Sequence, residues 1–284
     1  MPSVGFGLIT AAVLAIAAVG FTLQFAVTNV LNLAFASIMT LAAFVAYWIN
    51  QTGVSIWIAL IASIAAGALI SVALNYFVYS PFQRRGSAPI TLVIVSLGMA
   101  LILEFGTSAI VGGISVSYNM SQGSTVKFAG MILTTVQLII IAISVVVMAG
   151  VYALLRYTKL GKAMRATAAN RMLARNSGIR ASRVIAITWA LTGALCGLAG
   201  IVFAIDVQSF DPTSTDIFLI LILAAVFLGG PGHAYGAMLG ALVIGLATEV
   251  SAAYIQSDYK YVVAFVILLA MLAVRPTGLL GTRT

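Results

Sequence analysis

Long apolar segments separated by short polar ones extend along nearly the whole chain. They lie at residues 7–28, 33–50, 54–79, 89–111, 132–155, 184–206, 216–229, 236–256 and 261–275. About 20 apolar residues in a helix cross a hydrocarbon core of about 30 Å. The segments lack the alternation of barrel strands, and a helix satisfies its own backbone groups in lipid. The pattern therefore predicts an all-α polytopic bundle of eight or nine spans, a single transmembrane domain over residues 1–284.

Two short stretches interrupt this apolar pattern. Residues 28–32 include Asn29 and Asn32, and residues 229–232 read Gly-Gly-Pro-Gly. Paired interruptions in the two halves of a transporter indicate discontinuous helices at a substrate site. Tight turns at the membrane surface explain the same residues equally simply. On the first interpretation Asn29, Asn32 and the following Phe35 are candidate pathway residues.

Composition agrees with a membrane location and excludes a soluble fold. Hydrophobic residues make up 62% of the chain and charged residues 7%, whereas about a quarter of the residues in soluble domains are charged. Cys196 is the only cysteine, so no internal disulfide is possible. Neither a metal site nor a bound cofactor is expected, because no cluster of suitable ligands is present.

The basic residues predict which segments face the cytoplasm. They concentrate at residues 84–85, 156–183 and 275–283. Cytoplasmic loops carry an excess of Lys and Arg, so these segments and the C-terminus are expected inside a bacterial inner membrane. If residues 28–32 form a true turn, counting back from Arg84 places the N-terminus outside. The net charge of +8 is explained by this arrangement, and nucleic acid is not expected as a partner.

Intervening segments are then expected on the outer side. They are residues 112–131, 207–215 and 257–260. Asp206, Asp211 and Asp216 lie at or near one of them, where they either meet basic residues of a binding protein or are solvated loop charges.

The segment 157–183 is the only long polar one and is predicted to be helical. Ala166, Asn170, Ala174 and Gly178 share one face at helical spacing, beside an apolar row. Such a helix is suited to docking in a groove of another protein. A basic amphipathic helix on anionic headgroups is the alternative.

Two carboxylates fall inside apolar segments, Glu104 and Glu249. An ionised carboxylate there costs at least about 2.5 kcal/mol at the centre of a span, so each needs a partner, a proton or water. They either line a pathway or make hydrogen bonds between helices. His233, the only histidine, is assigned to an exposed turn, and Gly236 and Gly240 either pack the bundle or face a second membrane-spanning chain.

Several of these stretches together resemble a known family. They are residues 160–166, Asn170, Ala174, 178–179, 228–232, 236–240 and 275–281, with a looser match at 32–36. The first four resemble the cytoplasmic loop of branched-chain amino acid ABC permeases, and the next three resemble the C-terminal signature of that family. Phe35-Ala36 stands where the family usually has His-Gly, which indicates a more apolar route here.

The resemblance implies a subunit of a heteromeric importer. Two permease chains, two cytoplasmic ATPase subunits and a periplasmic binding protein are expected, with branched-chain amino acids, amides, urea or another small amphiphile as substrate. The coupling helix would lie within residues 161–179 and include Gly161, Ala166, Asn170, Ala174, Gly178 and Ile179. No phosphate-binding loop occurs in the chain, so ATP hydrolysis is expected in separate subunits.

Two other functions are compatible with a polytopic bundle. A stand-alone secondary transporter or channel needs its own ion-coupling groups, for which only Glu104 and Glu249 qualify. A membrane-embedded enzyme needs a metal cluster or a paired nucleophile and base, and the sequence offers neither.

Overall fold

The computed structural model describes residues 2–120, 123–128, 131–254, 259–275 and 277–280. Predictions that fall on Asp258, Pro276, Gly281 and Arg283 lie outside these residues. The helices are α1 (Pro2–Thr28), α2 (Phe35–Gln51), α3 (Ile56–Leu74), α4 (Ser80–Arg84), α5 (Pro89–Val111), α6 (Thr135–Tyr157), α7 (Lys159–Ala169), α8 (Arg171–Asn176), α9 (Ala181–Val207), α10 (Asp216–Gly229), α11 (Ala234–Tyr254) and α12 (Lys260–Val274). A π-helical turn, Asn75–Tyr79, joins α3 to α4.

The described chain is a helical polytopic bundle. Six helices are long and apolar enough to cross a bilayer: Val4–Thr28, Ile56–Arg84, Pro89–Val111, Thr135–Tyr157, Ala181–Val207 and Ala234–Tyr254. Three of the predicted segments correspond to shorter apolar helices, Phe35–Gln51, Asp216–Gly229 and Lys260–Val274. By length alone, the count of candidate spans is therefore six.

One feature departs from the all-α prediction. Strands β1 (Thr125–Phe128) and β2 (Met131–Thr134) form an antiparallel hairpin in which Thr125 pairs with Thr134. The sequence assigned the second strand to the apolar run that becomes α6. A short apolar run does not by itself distinguish a strand from the first turn of a helix.

Close contacts divide the chain into two compact units. Unit 1 consists of Met1–Thr22, Asn119–Met148 and Asp216–Thr284, and unit 2 of Leu23–Tyr118 and Ala149–Thr215. In unit 1, α10 and α11 form a helical hairpin whose turn contains the Gly-Pro-Gly sequence. The chain after α12 returns to this hairpin, because Leu279 N donates to Leu228 O at 2.8 Å and Leu280 N to Gly229 O at 3.1 Å.

In unit 2, α9 packs along α3, and α2 lies against both. Small residues allow this close approach: a Cβ atom on Gly197 would lie 2.9 Å from the carbonyl carbon of Ser63. Ser63 Oγ donates to Ala42 O at 3.0 Å and to Gly197 O at 2.8 Å. One hydroxyl thus joins α2, α3 and α9 at the centre of the unit.

Candidate functional site

The connection between α1 and α2 is the first candidate site. α1 ends at Thr28, whose Oγ1 donates to Gln24 O at 2.6 Å. The chain then turns at Asn29, which has a φ of 54°. Asn tolerates this left-handed conformation better than most residues do. Six residues, 29–34, lie between the end of α1 and the start of α2 at Phe35.

Asn32 lies at the centre of a buried hydrogen-bond chain in this break. Its side chain is 1% exposed. Tyr79 Oη donates to Asn32 Oδ1 at 2.7 Å, and Asn32 Nδ2 donates to Gln24 Oε1 at 3.4 Å. The Tyr79 ring packs on Trp189, with centroids 4.8 Å apart. The π-helical turn at the end of α3 places Tyr79 inward, so the polar groups of α1, the break and α3 meet in the interior of unit 2.

The backbone of the break is held by α5. Ser96 Oγ donates to Leu31 O at 3.1 Å, and Leu33 N donates to Ser96 Oγ at 3.1 Å. Non-helical backbone at membrane depth is tolerated where protein buries it and satisfies its polar groups. These contacts bury the backbone of residues 31 and 33 and satisfy its polar groups.

The three candidate pathway residues of this region differ in their exposure to solvent. Asn29 is exposed, whereas Asn32 and Phe35 are each 1% exposed. Phe35 O accepts a hydrogen bond from Cys196 Sγ at 3.2 Å, which places Phe35 in the helix contact between α2 and α9. Gln24, Tyr79 and Trp189 complete the buried group, although the sequence analysis did not single them out. In the sequence, the only indication of this buried polar group is Gln24, a polar residue within an apolar run.

The two carboxylates have different surroundings. Glu249, on α11, accepts a hydrogen bond from Thr10 Oγ1 at 3.1 Å and lies 3.5 Å from Lys260 Nζ. These are the contacts expected of a structural bond between helices. Glu104 is half-buried on the flank of α5 and makes no hydrogen bond or ion pair with any residue that the structure describes. Its neighbours Ile102 and Phe105 are exposed.

The loop before α10 contains Asp211, one of the three aspartates considered for docking. Thr213 N and Thr213 Oγ1 both donate to Asp211 Oδ1, at 2.8 and 2.7 Å. Partial burial raises the pKa of Asp211. The hydrogen bonds with Thr213 and Ser214 lower it by a larger amount, so the pKa lies below its ordinary value. Asp206 and Asp216 are half-buried. The Asp211 carboxylate is thus already used within its own loop.

The basic segment 157–183 is the second candidate site, and the prediction of one continuous helix there is wrong. Asn170 has φ −158° and ψ 107°, an extended conformation that separates α7 from α8. Its Oδ1 accepts hydrogen bonds from Met172 N at 3.0 Å and Leu173 N at 2.9 Å. Asn is among the strongest N-cap residues, and capping a new helix competes with continuing the old one.

The extended conformation of Asn170 also divides the four residues that were predicted to share one helix face. Ala174 is buried, Ala166 is half-buried, and Asn170 and Gly178 are exposed. Gly178 has a φ of 83° and ends α8 as the predicted helix stop, followed by half-buried Ile179.

The residues that anchor the segment lie on α7. Gly161 is buried, and a Cβ atom there would lie 2.6 Å from Leu155 Cα at the end of α6. Met164 is 1% exposed, and Arg165 donates to Leu155 O. α8 instead presents Met172 and Leu173, which are 78% and 64% exposed. α7 therefore holds the segment to the bundle, and α8 carries its free surface.

Asn170→Ala removes the cap of α8. We expect a loss of about 1 kcal/mol in the stability of this helix, because the N–H groups of Met172 and Leu173 lose their acceptor. Hydrogen exchange of residues 171–176 should become faster, while exchange in α9 is unchanged. Asn170→Asp, which retains the acceptor, is the matched control. Equal protection of α8 in the alanine variant and the native protein would contradict the capping role.

Among the described residues, no group of three His, Cys, Asp or Glu side chains is close enough to hold a metal ion. The features that remain are a buried polar group between α1 and α2 and a polar two-helix segment, α7 and α8, between α6 and α9. They belong to a multi-pass helical membrane protein.

Comparison with known proteins gives the family. Residues 3–272 match the model of the permease component of branched-chain amino acid transport systems, and the chain belongs to this family. It is 28% identical over 280 residues to the LivH permease protein of Salmonella typhimurium, a high-affinity branched-chain amino acid system, covering 94% of this chain and 91% of that protein. It is 26% identical over 290 residues to BraD of Pseudomonas aeruginosa, covering 97% and 94%.

Two further comparisons bear on substrate and fold. The ribose import permease protein RbsC of Escherichia coli is 29% identical over 266 residues, covering 91% of this chain and 81% of that protein. A chain of the PsaBC complex from Streptococcus pneumoniae, solved with a Fab, has a TM-score of 0.54 at 17% identity, covering 98% and 93%. That likeness supports the fold alone.

The predicted family is therefore confirmed. The chain is a non-catalytic, multi-pass permease component of an ABC importer. Membership of this class implies ATPase and binding-protein partners.

Proposed function

We propose that this chain moves a branched-chain amino acid, or a related small polar or amphiphilic solute, delivered by a periplasmic binding protein. It would act with a second permease chain and two cytoplasmic ATPase subunits. The observation that carries the proposal is the α7–α8 segment: it is anchored to the bundle on one side and exposes an apolar pair on the other. LivH and BraD, similar over nearly their whole lengths, support branched-chain amino acids as the substrate.

The anchoring of α7 offers a route from an ATPase to the membrane. α8 is joined to α9 by a turn in which Ile179 N donates to Ala174 O at 3.0 Å. α9 in turn packs closely along α3 through Gly193 and Gly197. Closely packed helices move as rigid bodies. A displacement of α8 would therefore reach the helices that surround the break at residues 29–34.

The nine apolar helices fit a nine-span arrangement with the N-terminus outside and the C-terminus cytoplasmic. The short helices α2, α10 and α12 would complete the six longer spans. In this arrangement the basic segment 156–183 is cytoplasmic, as the positive-inside rule requires. Ionisable groups within spans nearly always face a bundle interior or a water-filled cavity. We therefore assign Glu104 to a hydrated pathway at a surface between two permease chains.

Reconstitution tests the proposal directly. The chain is co-expressed with the ATPase, second permease and binding-protein genes of its own locus and placed in proteoliposomes with ATP inside. ATP-dependent uptake of leucine, isoleucine or valine supports the proposal. Uptake of ribose instead would identify a sugar as the substrate, as in the ribose import permease RbsC. Uptake without ATP or partner subunits would favour the second candidate, a stand-alone transporter that uses the carboxylates Glu104 and Glu249.

Glu104→Gln tests the assigned role of this carboxylate. We expect ATP-driven uptake to fall by about tenfold, equivalent to about 1.4 kcal/mol, because the pathway loses its charge. Glu249→Gln is the matched control: it weakens a partly exposed ion pair with Lys260, worth at most about 1 kcal/mol, and should leave uptake unchanged. Uptake and complex assembly are measured together. Native uptake in both variants would exclude a transport role for either carboxylate.

A further inference from the structure

An open cavity of about 440 Å³ lies where α8 meets α9. Arg171 and Arg175 line it from α8, and residues 178–182, including Arg180, line it from the connecting turn and the start of α9. We call this cavity the arginine pocket. Three arginines thus line one recess at the start of α9.

The walls of the arginine pocket are fixed by hydrogen bonds. Asn170 caps the first turn of α8. At the other end, Gly178 N donates to Arg175 O and Ile179 N to Ala174 O, each at 3.0 Å. The positive φ of Gly178 permits this tight turn. The recess is therefore present before any partner binds, and a bound partner need not order it.

The three arginines have no anionic partner among the described residues, where none of them makes an ion pair or a side-chain hydrogen bond. Two other basic residues of the segment are engaged: Arg165 donates to Leu155 O, and Arg156 lies over the Tyr152 ring. No acidic residue occurs anywhere in the sequence between Glu104 and Asp206. Neighbouring like charges in one recess favour an anion from another molecule.

The surface beside the pocket indicates a protein as the source of that anion. Met172 and Leu173 protrude from the same turn of α8 as the arginines. Met and Arg are enriched at protein interfaces, where an apolar centre has a polar rim. A helix that lies in a membrane surface buries a long apolar face. Here the exposed apolar area of α8 consists of two side chains on a helix of six residues.

We infer that the arginine pocket receives carboxylate side chains of the ATPase subunit while Met172 and Leu173 enter an adjoining apolar recess. The inference rests on the proposed coupling of this segment to an ATPase and adds the chemistry of the contact. The planar guanidinium fork binds a carboxylate through two parallel hydrogen bonds, which fixes orientation as well as affinity. The ATPase groove is therefore acidic where it meets α8.

The test compares two variants that remove equal charge from this segment. The first carries Arg171→Gln, Arg175→Gln and Arg180→Gln in the pocket. The control carries Lys159→Gln, Lys162→Gln and Arg183→Gln, all exposed positions outside the pocket. Each is purified with the ATPase subunits of its own locus, and ATPase affinity is measured across a series of salt concentrations.

We expect the pocket variant to bind the ATPase about 10- to 100-fold more weakly than the native chain at about 0.1 M ionic strength, with a flatter salt dependence. The control should stay close to the native chain. Arg175→Glu alone, a single exposed change, should also weaken binding. Unchanged melting midpoints in the absence of ATPase show that the variants are folded.

Three results would overturn the inference while leaving the coupling proposal intact. The first is native ATPase affinity in the pocket variant, and the second is equal weakening of ATPase binding in the control variant. The third is a pocket variant that keeps native ATPase affinity but whose melting midpoint is no longer raised by phosphatidylglycerol vesicles. That result would assign a lipid headgroup to the pocket. Failure of the native chain to bind its ATPase would reject the coupling proposal itself.

Discussion

Gly197→Val is expected to destabilise the chain by about 3 kcal/mol or more and to lower its melting midpoint in detergent by about 10 °C. Gly197 lies where α9 crosses α3. A Cβ atom there would meet the backbone of Ser63 and lie 3.2 Å from Ile64 Cα. Backbone atoms cannot rotate away as a side chain can. The helices must separate, and the bond from Ser63 Oγ to Gly197 O is lost with them.

Gly98→Val is the matched control for this substitution. Gly98 lies in the apolar helix α5, and a Cβ atom there meets nothing within 4 Å. The same change of residue should therefore leave the melting midpoint unchanged or slightly raise it, because Val has a better helix propensity than Gly. Equal effects at the two positions would show that helix propensity, and not the contact of α9 with α3, governs the response.

Asn32→Leu is expected to cost about 3 kcal/mol, the second large effect. The substitution keeps the approximate size of the side chain but removes both of its hydrogen bonds. The hydroxyl of Tyr79, a residue 0% exposed, then has no acceptor, and Gln24 Oε1 has no donor. Leaving a buried polar group unsatisfied costs about 1–3 kcal/mol.

A double-mutant cycle separates this effect from a simple loss of packing. Combining Asn32→Leu with Tyr79→Phe removes the stranded hydroxyl, so the double variant should recover about 1–2 kcal/mol relative to the sum of the single variants. Denaturant titration of each purified variant measures the four stabilities. Strict additivity would mean that Asn32 and Tyr79 do not form the buried bond that holds the break.

The polar group around Asn32 also has spare hydrogen-bonding capacity. Gln24 Nε2 and Trp189 Nε1 are buried and have no partner among the described residues. Unsatisfied buried donors are costly. The polar group around Asn32 therefore brings both satisfied hydrogen bonds and unsatisfied donors into the packing of unit 2.

Local patterns determined where the helices and the basic polar segment lie. The apolar runs at residues 89–111 and 184–206 match α5 and α9 within a few residues, because the length of an apolar run is a property of neighbouring positions. The basic segment was found in the same way. Two of its glycines differ: the end of α8 at Gly178 follows from a known stop signal, whereas the contact of Gly161 with Leu155 does not.

Contacts between distant residues decided the remaining features. The sequence alone established a polytopic helical membrane protein with one long basic polar segment, since hydropathy and charge follow from composition and order. Only the tertiary structure joined Tyr79 to Asn32 across 47 positions, paired Glu249 with Thr10 across 239, and brought the three arginines into one recess. These contacts depend on which groups meet in space, and no local stretch of the chain specifies that.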